Sequence, residues 1–394
     1  MNKTERMTGL LVSLLYFVRM LGLFSILPIF TLAANDDYAA GSLMIGVTLG
    51  IYGLLQAGMQ IPFGILSDRL GRKSVLVFGL VLFVLGSWLA AVADSIWGIL
   101  LGRALQGAGA IAGVLLAVVA DEIRPEWRAS VMAMIGASIG VAFGLSLILG
   151  PLIYDIGGLS AVFYLGMLTG ALALGLVLVM PFAAAAQLRV TTEPTHPVRG
   201  LSQNAQFQWL NLSIFINHFL LMSSFLVIPR LLVSVEIAVA DHSWIYLGVL
   251  FGSFMIMLPA IIRWGKGQVI IAKVVPAILI MILGLLLLAL GVSAAWVLLG
   301  LLVFFVGFNY LEATLPALVS QVAPEAVRGK AMGIYSTSQF LGLFAGGSLG
   351  GLWMAHLSLS AVLVANGALA LGWVVLLLVL NFREQKIAGA KSRG

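Results

Sequence analysis

Cysteine is absent from these 394 residues, and charge is scarce: 9% of the chain, against about 25% in an ordinary soluble domain. Without cysteine there is no disulfide, no thiolate nucleophile and no thiolate-held metal. Four scattered histidines give no ligand spacing for zinc, so neither metal nor cofactor is expected. No nucleotide loop and no paired nucleophile and base are present, which speaks against an enzyme. The small-residue run "GAGAIAG" (Gly107–Gly113) follows no strand pattern and reads as helical packing. Lys and Arg outnumber acids 21 to 15, yet the excess fits loop topology better than nucleic-acid binding.

What is present is apolar: 61% of the residues are hydrophobic, in runs along the whole chain. A helix needs about 20 such residues to cross a hydrocarbon core of about 30 Å. Cuts at charges and at Gly or Pro clusters predict spans near 9–33, 44–66, 75–93, 96–120, 129–153, 159–181, 207–230, 243–262, 269–290, 295–319, 331–353 and 359–381. Two of these cuts lack a charge and fall at "GVSAAW" (291–296) and "AHLSLS" (355–360). The first run is longer than a signal-peptide core and contains Arg19, so it reads as a retained span.

These runs predict an all-α membrane protein of twelve transmembrane helices. Placing both termini and every second loop on one side collects seventeen of the 21 basic residues there, among them Arg69, Arg72, Lys73, Arg124, Arg128, Arg328 and Lys330. The opposite loops hold Arg230 and acids such as Asp36, Asp37, Asp94, Asp155 and Asp241. The bias puts both termini in the cytoplasm. The longest polar interruption, Ala183 to Gln206, divides the spans six and six: 1–181 as one bundle, 182–206 as a cytoplasmic linker and 207–394 as the second bundle with a short basic tail. "RPEWRASVMAM" (124–134) and "APEAVRGKAMGI" (323–334) echo each other about 200 residues apart, as repeated halves would.

Glu312, in "FNYLEATLP", is the acid lying well inside a span, a placement that costs roughly 2.5 to 3.5 kcal/mol on insertion scales. Such a carboxylate can take up a proton or hold a cationic substrate; a structural ion pair is the alternative. Arg19, near the middle of span one, can bind an anion or hold Glu312 ionised. Arg103 lies nearer the outer end of span four, where snorkelling competes with function. Asn309, Tyr335, Gln339, Gln56, Gln60, Asn217 and His218 can line a polar cavity by helical spacing, or serve as contacts between helices. Glycines recur at intervals of four in spans two (Gly46, Gly50), five (Gly136, Gly140, Gly144), eight (Gly248, Gly252) and eleven (Gly342, Gly346, Gly350). They predict close seams, either static or sliding, between the two halves.

The stretch Gly64-x-Leu66-x-Asp68-Arg69-x-Gly71-Arg72-Lys73 resembles the motif between helices two and three of the major facilitator superfamily, and Arg103-x-x-Gln106-Gly107 its helix-four motif. "RMLGLFSILP", "GIYGLLQAGMQIPFGILSDRLGRK", "SIWGILLGRALQGAGAIAG" and "MGIYSTSQFLGLFAGGSLGG" are similar to the YajR-type inner-membrane transporters of bacteria. Those carry a soluble domain after span twelve, and no regulation through one is expected for a sequence ending at Gly394. The resemblance implies two six-helix bundles exposing a central cavity alternately to each side. It makes Asp68 a partner for the N-terminus of span eleven and pairs Arg72 with Asp121, both only when the cytoplasmic side is closed. Gly140, Gly144, Gly150, Pro151, Gly346 and Gly350 are then expected to pack between bundles. Span five departs from the drug-antiporter pattern, with Ser146 before Gly150-Pro151 and Tyr154-Asp155 after it, and span one carries Arg19 where many multidrug relatives have an acid.

The expected function is proton-coupled export of small amphipathic compounds across the bacterial inner membrane. The partners are a small-molecule substrate, protons and lipid, and the protein is expected to be a monomer. Uptake of an anionic metabolite, or a non-transporting sensor or scaffold, are the alternatives.

Overall fold

The computed structural model describes residues 1–180, 204–264, 270–324 and 327–391, without the side chains of 129, 262–272 and 383–391. The expected linker therefore lies almost wholly outside the described residues, within which all regular structure is helical.

Helix α1 (Lys3–Phe24) opens with a capping box: Asn2 Oδ1 accepts the Glu5 amide at 2.8 Å, and the Glu5 carboxylate accepts the Asn2 amide at 2.7 Å. Pro28 has no amide hydrogen to extend the ladder, so a turn intervenes before α2 (Phe30–Tyr38), and span one is two helices. Gly71, at φ 87°, is the single residue between α3 (Ser42–Leu70) and α4 (Arg72–Ala91), a conformation costly for any side chain. Span four, expected continuous through its glycines, breaks into α5 (Ile96–Ala108) and α6 (Ala112–Glu122). The glycine pair Gly107 and Gly109 weakens the helix there.

Helix α7 (Pro125–Val179) is 55 residues, roughly 82 Å at about 1.5 Å per residue, and turns at Gly157 and Gly158, whose dihedrals leave the helical region. Beyond residue 203 follow α8 (Ala205–Ser234), a 3-10 turn (Val239–Asp241), α9 (His242–Trp264), α10 (Ile270–Leu290), α11 (Ala294–Val322), α12 (Arg328–His356) and α13 (Leu359–Lys391).

Among the described residues ten helices are long and apolar enough to cross a membrane. The difference from twelve has two sources. Spans five and six are joined as α7, and α12, though 29 residues long, is made less apolar by its glycine, serine, threonine and glutamine. The helices turn large apolar side chains outward, Trp97 63%, Phe251 64% and Ile156 85% exposed, as hydrocarbon solvent permits and water does not.

Helices α1, α4 and α7 pack together, with α3 and α4 on α5; α10 packs on α11 and α13, α8 on α12, and α9 on α11. Between these two groups the most extensive contact is α3 on α12, followed by α7 on α9. Small residues make the first possible: a Cβ built at Gly46 would overlap the Gly347 carbonyl, and one at Gly53 would lie 2.5 Å from the Phe340 carbonyl oxygen. Across the second, Ser243 Oγ donates to the Ile148 carbonyl at 2.8 Å.

The expected glycine seams are only partly correct. Gly342, Gly346 and Gly350 face Phe215, Phe219 and Ser223 of α8, within their own group, whereas Gly347 and Gly351 meet α3. Helix α12 carries two small-residue rows one position apart, and spacing alone does not say which row meets which neighbour. Gly150 packs on Ser25 and Pro28 of its own group, within the helix that contains Pro151; Gly140 has nothing within 4 Å, and Gly144 reaches across to Leu250 at 3.6 Å, as Gly46 and Gly50 of α3 reach α12. Close contact is concentrated at the end that carries Ser42, Gly351 and Ser243, the far end. Toward the end that carries Gly64–Lys73, the motif end, Gly58, Gly64, Gly136, Gly329 and Gly333 have no atom within 4 Å of a built Cβ.

Candidate functional site

Two buried polar clusters face each other across the α3–α12 seam. The first is assembled from α8, α11 and α12. Asn217 Nδ2 donates to Glu312 Oε2 at 3.5 Å, and Gln339 Nε2 donates to Glu312 Oε1 at 3.4 Å. His218 Nδ1 donates to the Ile214 carbonyl at 3.3 Å, which leaves Nε2 as acceptor for Gln339 Nε2 at 2.7 Å. That imidazole nitrogen lies 3.7 Å from Glu312 Oε2. Tyr335, one helical turn before Gln339, is buried, and its hydroxyl has no partner; nor has Asn217 Oδ1. Glu312 keeps 29% of its side chain exposed, so the carboxylate can be reached by a proton.

The second cluster belongs to α1, α3 and α5. The break in span four takes the Gly109 carbonyl out of the helical ladder, where it accepts the Ile111 amide at 2.9 Å and Arg19 Nη2 at 3.0 Å; Arg19 Nη2 also lies 3.0 Å from Tyr52 Oη and 2.7 Å from Gln56 Oε1 as donor. Arg103 lies with its Cζ 5.0 Å from the centre of the Tyr52 ring and donates to Gln106 Oε1 at 2.9 Å. Gln60 Oε1 accepts the Gly113 amide at 3.1 Å. Tyr52, a residue the sequence reading passed over, is the centre of this cluster; its place one turn before Gln56 was the available signal.

Arg19 and Glu312 do not meet. Their partners are separate, so the expectation that Arg19 holds Glu312 ionised is corrected: they sit in different groups of helices, which meet between the clusters at the ring contact of Tyr52 with Phe340, 6.1 Å between centroids. Asn309 is also elsewhere, donating to Ser253 Oγ at 2.9 Å, which ties α11 to α9. Beside the Glu312 cluster lies an aromatic plug that spans both groups. Phe143 of α7 stands 6.1 to 6.4 Å from Phe308, Phe225 and Phe305, and Phe308 stands 5.9 Å from the His218 ring.

At the motif end Arg72 Nε donates to Asp121 Oδ2 at 2.9 Å, and Nη1 donates to Ser67 Oγ and to Asp68. Lys73 Nζ donates to the Leu178 carbonyl at 2.8 Å, and Asp68 is 65% exposed. Arg72 and Asp121 belong to one group of helices, so their pairing joins α4 to α6 within that group.

A family model described as the Major Facilitator Superfamily matches residues 12–347 and 274–393. The chain is 37% identical over 369 residues to the inner membrane transport protein YajR of Escherichia coli (strain K12), covering 91% of this chain and 80% of that protein. It is 32% identical over 351 residues to an uncharacterized transporter of Buchnera aphidicola subsp. Acyrthosiphon pisum (strain APS), covering 88% and 90%. Among solved structures, the human organic anion transporter MFSD10 (TETRAN) superposes with a TM-score of 0.70 at 19% identity, covering 95% of this chain and all of that one, which speaks for the fold.

Proposed function

Because the chain belongs to the major facilitator superfamily, we propose that it is a proton-coupled secondary transporter of the inner membrane, moving small amphipathic compounds outward in exchange for protons. Residues 1–181 and 207–394 are its two bundles, of six crossings each, with both termini cytoplasmic and the protein acting as a monomer. The motif end then faces the cytoplasm, and the close α3–α12 seam supports an arrangement with the outer side closed.

The observation that carries this reading is the setting of Glu312. Its partners are neutral donors, it is partly exposed, and through His218 and Phe308 it adjoins the plug that joins the halves. A proton added to a Glu312 oxygen removes an acceptor from Asn217 or Gln339 and frees α8, α11 and α12 to shift against Phe143. Loss of the proton restores those bonds. Coupling requires only that the carboxyl be charged in one arrangement and neutral in the other.

In proteoliposomes Glu312→Gln is expected to abolish the dependence of substrate movement on an imposed pH gradient while leaving gradient-independent exchange. Full retention of that dependence would remove Glu312 from the coupling step.

A further inference from the structure

The Arg19 cluster has donors left over. Arg19 is 1% exposed and Arg103 3%, yet Arg19 Nε and Nη1, Arg103 Nε, Gln56 Nε2 and Gln60 Nε2 have no hydrogen-bond partner among the described residues. Both amide groups are oriented by what their oxygens accept, Gln56 from Arg19 and Gln60 from the Gly113 amide, so these nitrogens are fixed as donors. Neither guanidinium has a carboxylate within ion-pair distance among the described residues. A guanidinium does not shed its proton, and a buried charge without a counter-ion is among the most costly groups a protein can hold. Donors in excess, two positive charges and no acid make the inverse of an oxyanion.

We propose that this cluster is an anion site and that the transported compound carries a carboxylate on an aromatic or apolar body. Arg19 Nε and Nη1 each hold an unpaired N–H, on different edges of the guanidinium, and either gives a carboxylate oxygen a charge-assisted bond. Gln56 Nε2 supplies a third donor, and Arg103 supplies charge from across the Tyr52 ring. The apolar body has rings to lie against: Phe83, 5.6 Å from Arg19 Cζ, with Tyr52 and Phe340 at the seam. Entry follows from the same geometry, because Tyr52 touches α12, and parting of α3 from α12 uncovers the cluster from the space between the bundles. As a cargo site the cluster depends on the transport function proposed for the protein; as a binding site it does not.

The test is thermal unfolding of the purified full chain in detergent, with sodium benzoate, its neutral isostere benzamide and the cation benzylamine, at matched ionic strength in sodium chloride. Benzoate is expected to raise Tm saturably and the other two not to. Arg19→Gln is expected to weaken the benzoate response by about tenfold or more, the loss of a charge-assisted pair. Should Arg19→Gln not fold, Arg19→Lys keeps the charge, loses the planar set of N–H donors and is expected to respond more weakly than wild type. Equal shifts with benzoate and benzamide, a response to chloride alone that matches benzoate, or an undiminished response in the folded variant would each overturn the anion site. Benzoate binding without proton-driven movement in vesicles would instead overturn the transport reading and leave the site standing. Proton-driven movement of another compound with no benzoate response would do the opposite.

Discussion

A single hydroxyl organises one of the two buried clusters. Tyr52 Oη accepts from Arg19 and donates to Gln56 Oε1 at 3.2 Å, under the Arg103 guanidinium. Tyr52→Phe leaves the ring in place and leaves Arg19 Nη2 with Gln56 and the Gly109 carbonyl, so the loss of the hydroxyl's own bonds is expected to lower stability by about 0.5 to 1.5 kcal/mol, measured by thermal unfolding. An unchanged Tm would show that the hydroxyl is dispensable. At this scale the sequence was informative wherever a residue was costly in its surroundings. Glu312 and Arg19 stand out because charge within an apolar run demands a reason. Their partners do not stand out: the Gly109 carbonyl becomes an acceptor only because α5 stops, and Asn309 turns to Ser253 because its helix presents that face to α9. Polar residues on one helix were legible, but which of them share a neighbour depends on helix rotation, which composition does not set.

Between helices, the α3–α12 seam depends on the absence of side chains. Gly46→Leu places atoms where the Gly347 backbone lies and is expected to hold the far end ajar. Since the protein has no cysteine, a single Thr48→Cys reports this directly: Thr48 is fully buried, and its labelling from the far side is expected to accelerate in the Gly46→Leu background. Gly58→Leu, with open space around it, is the control and is expected to leave labelling unchanged. The glycine spacing disclosed that α3 and α12 approach something closely and misled for α7 and α9, where Gly136, Gly140 and Gly248 have nothing within 4 Å. It concealed that α12 presents one row to α8 and the adjacent row to α3, since a shift of one residue turns the helix by about 100°. Breaks were equally hidden where glycine and small apolar residues suit a helix and a turn alike, as at Gly107–Gly113.

At the scale of the whole molecule, hydrophobic runs and the motif after span two were enough for the family, because both follow from membrane thickness and from a fixed string of residues. The conformational state was not legible: one sequence serves every state of the cycle, and only coordinates show which end is packed. Two predictions belong here. A short, reducible thiol cross-linker between Gly144→Cys and Leu250→Cys, which meet across α7 and α9 without a close contact, is expected to stop transport in vesicles and to release it on reduction; transport that continues while cross-linked would favour a protein that does not alternate. Asp68→Asn is expected to insert normally, because Arg72 keeps Asp121, but to leave the motif end open longer, seen as faster labelling of Gly329→Cys from that side. Equal labelling would reduce the motif to a topology signal. The aromatic plug has an electrical consequence as well. Water conducts and hydrocarbon insulates, so on the proposed cycle, with one end open, the membrane potential would fall mainly across the few ångströms of Phe143, Phe225, Phe305 and Phe308 rather than across the full bilayer. A charge passing that short distance would cross nearly the whole field, about 2.3 kcal/mol per 100 mV, and four phenyl rings that carry no charge themselves would set where the transport step meets the voltage.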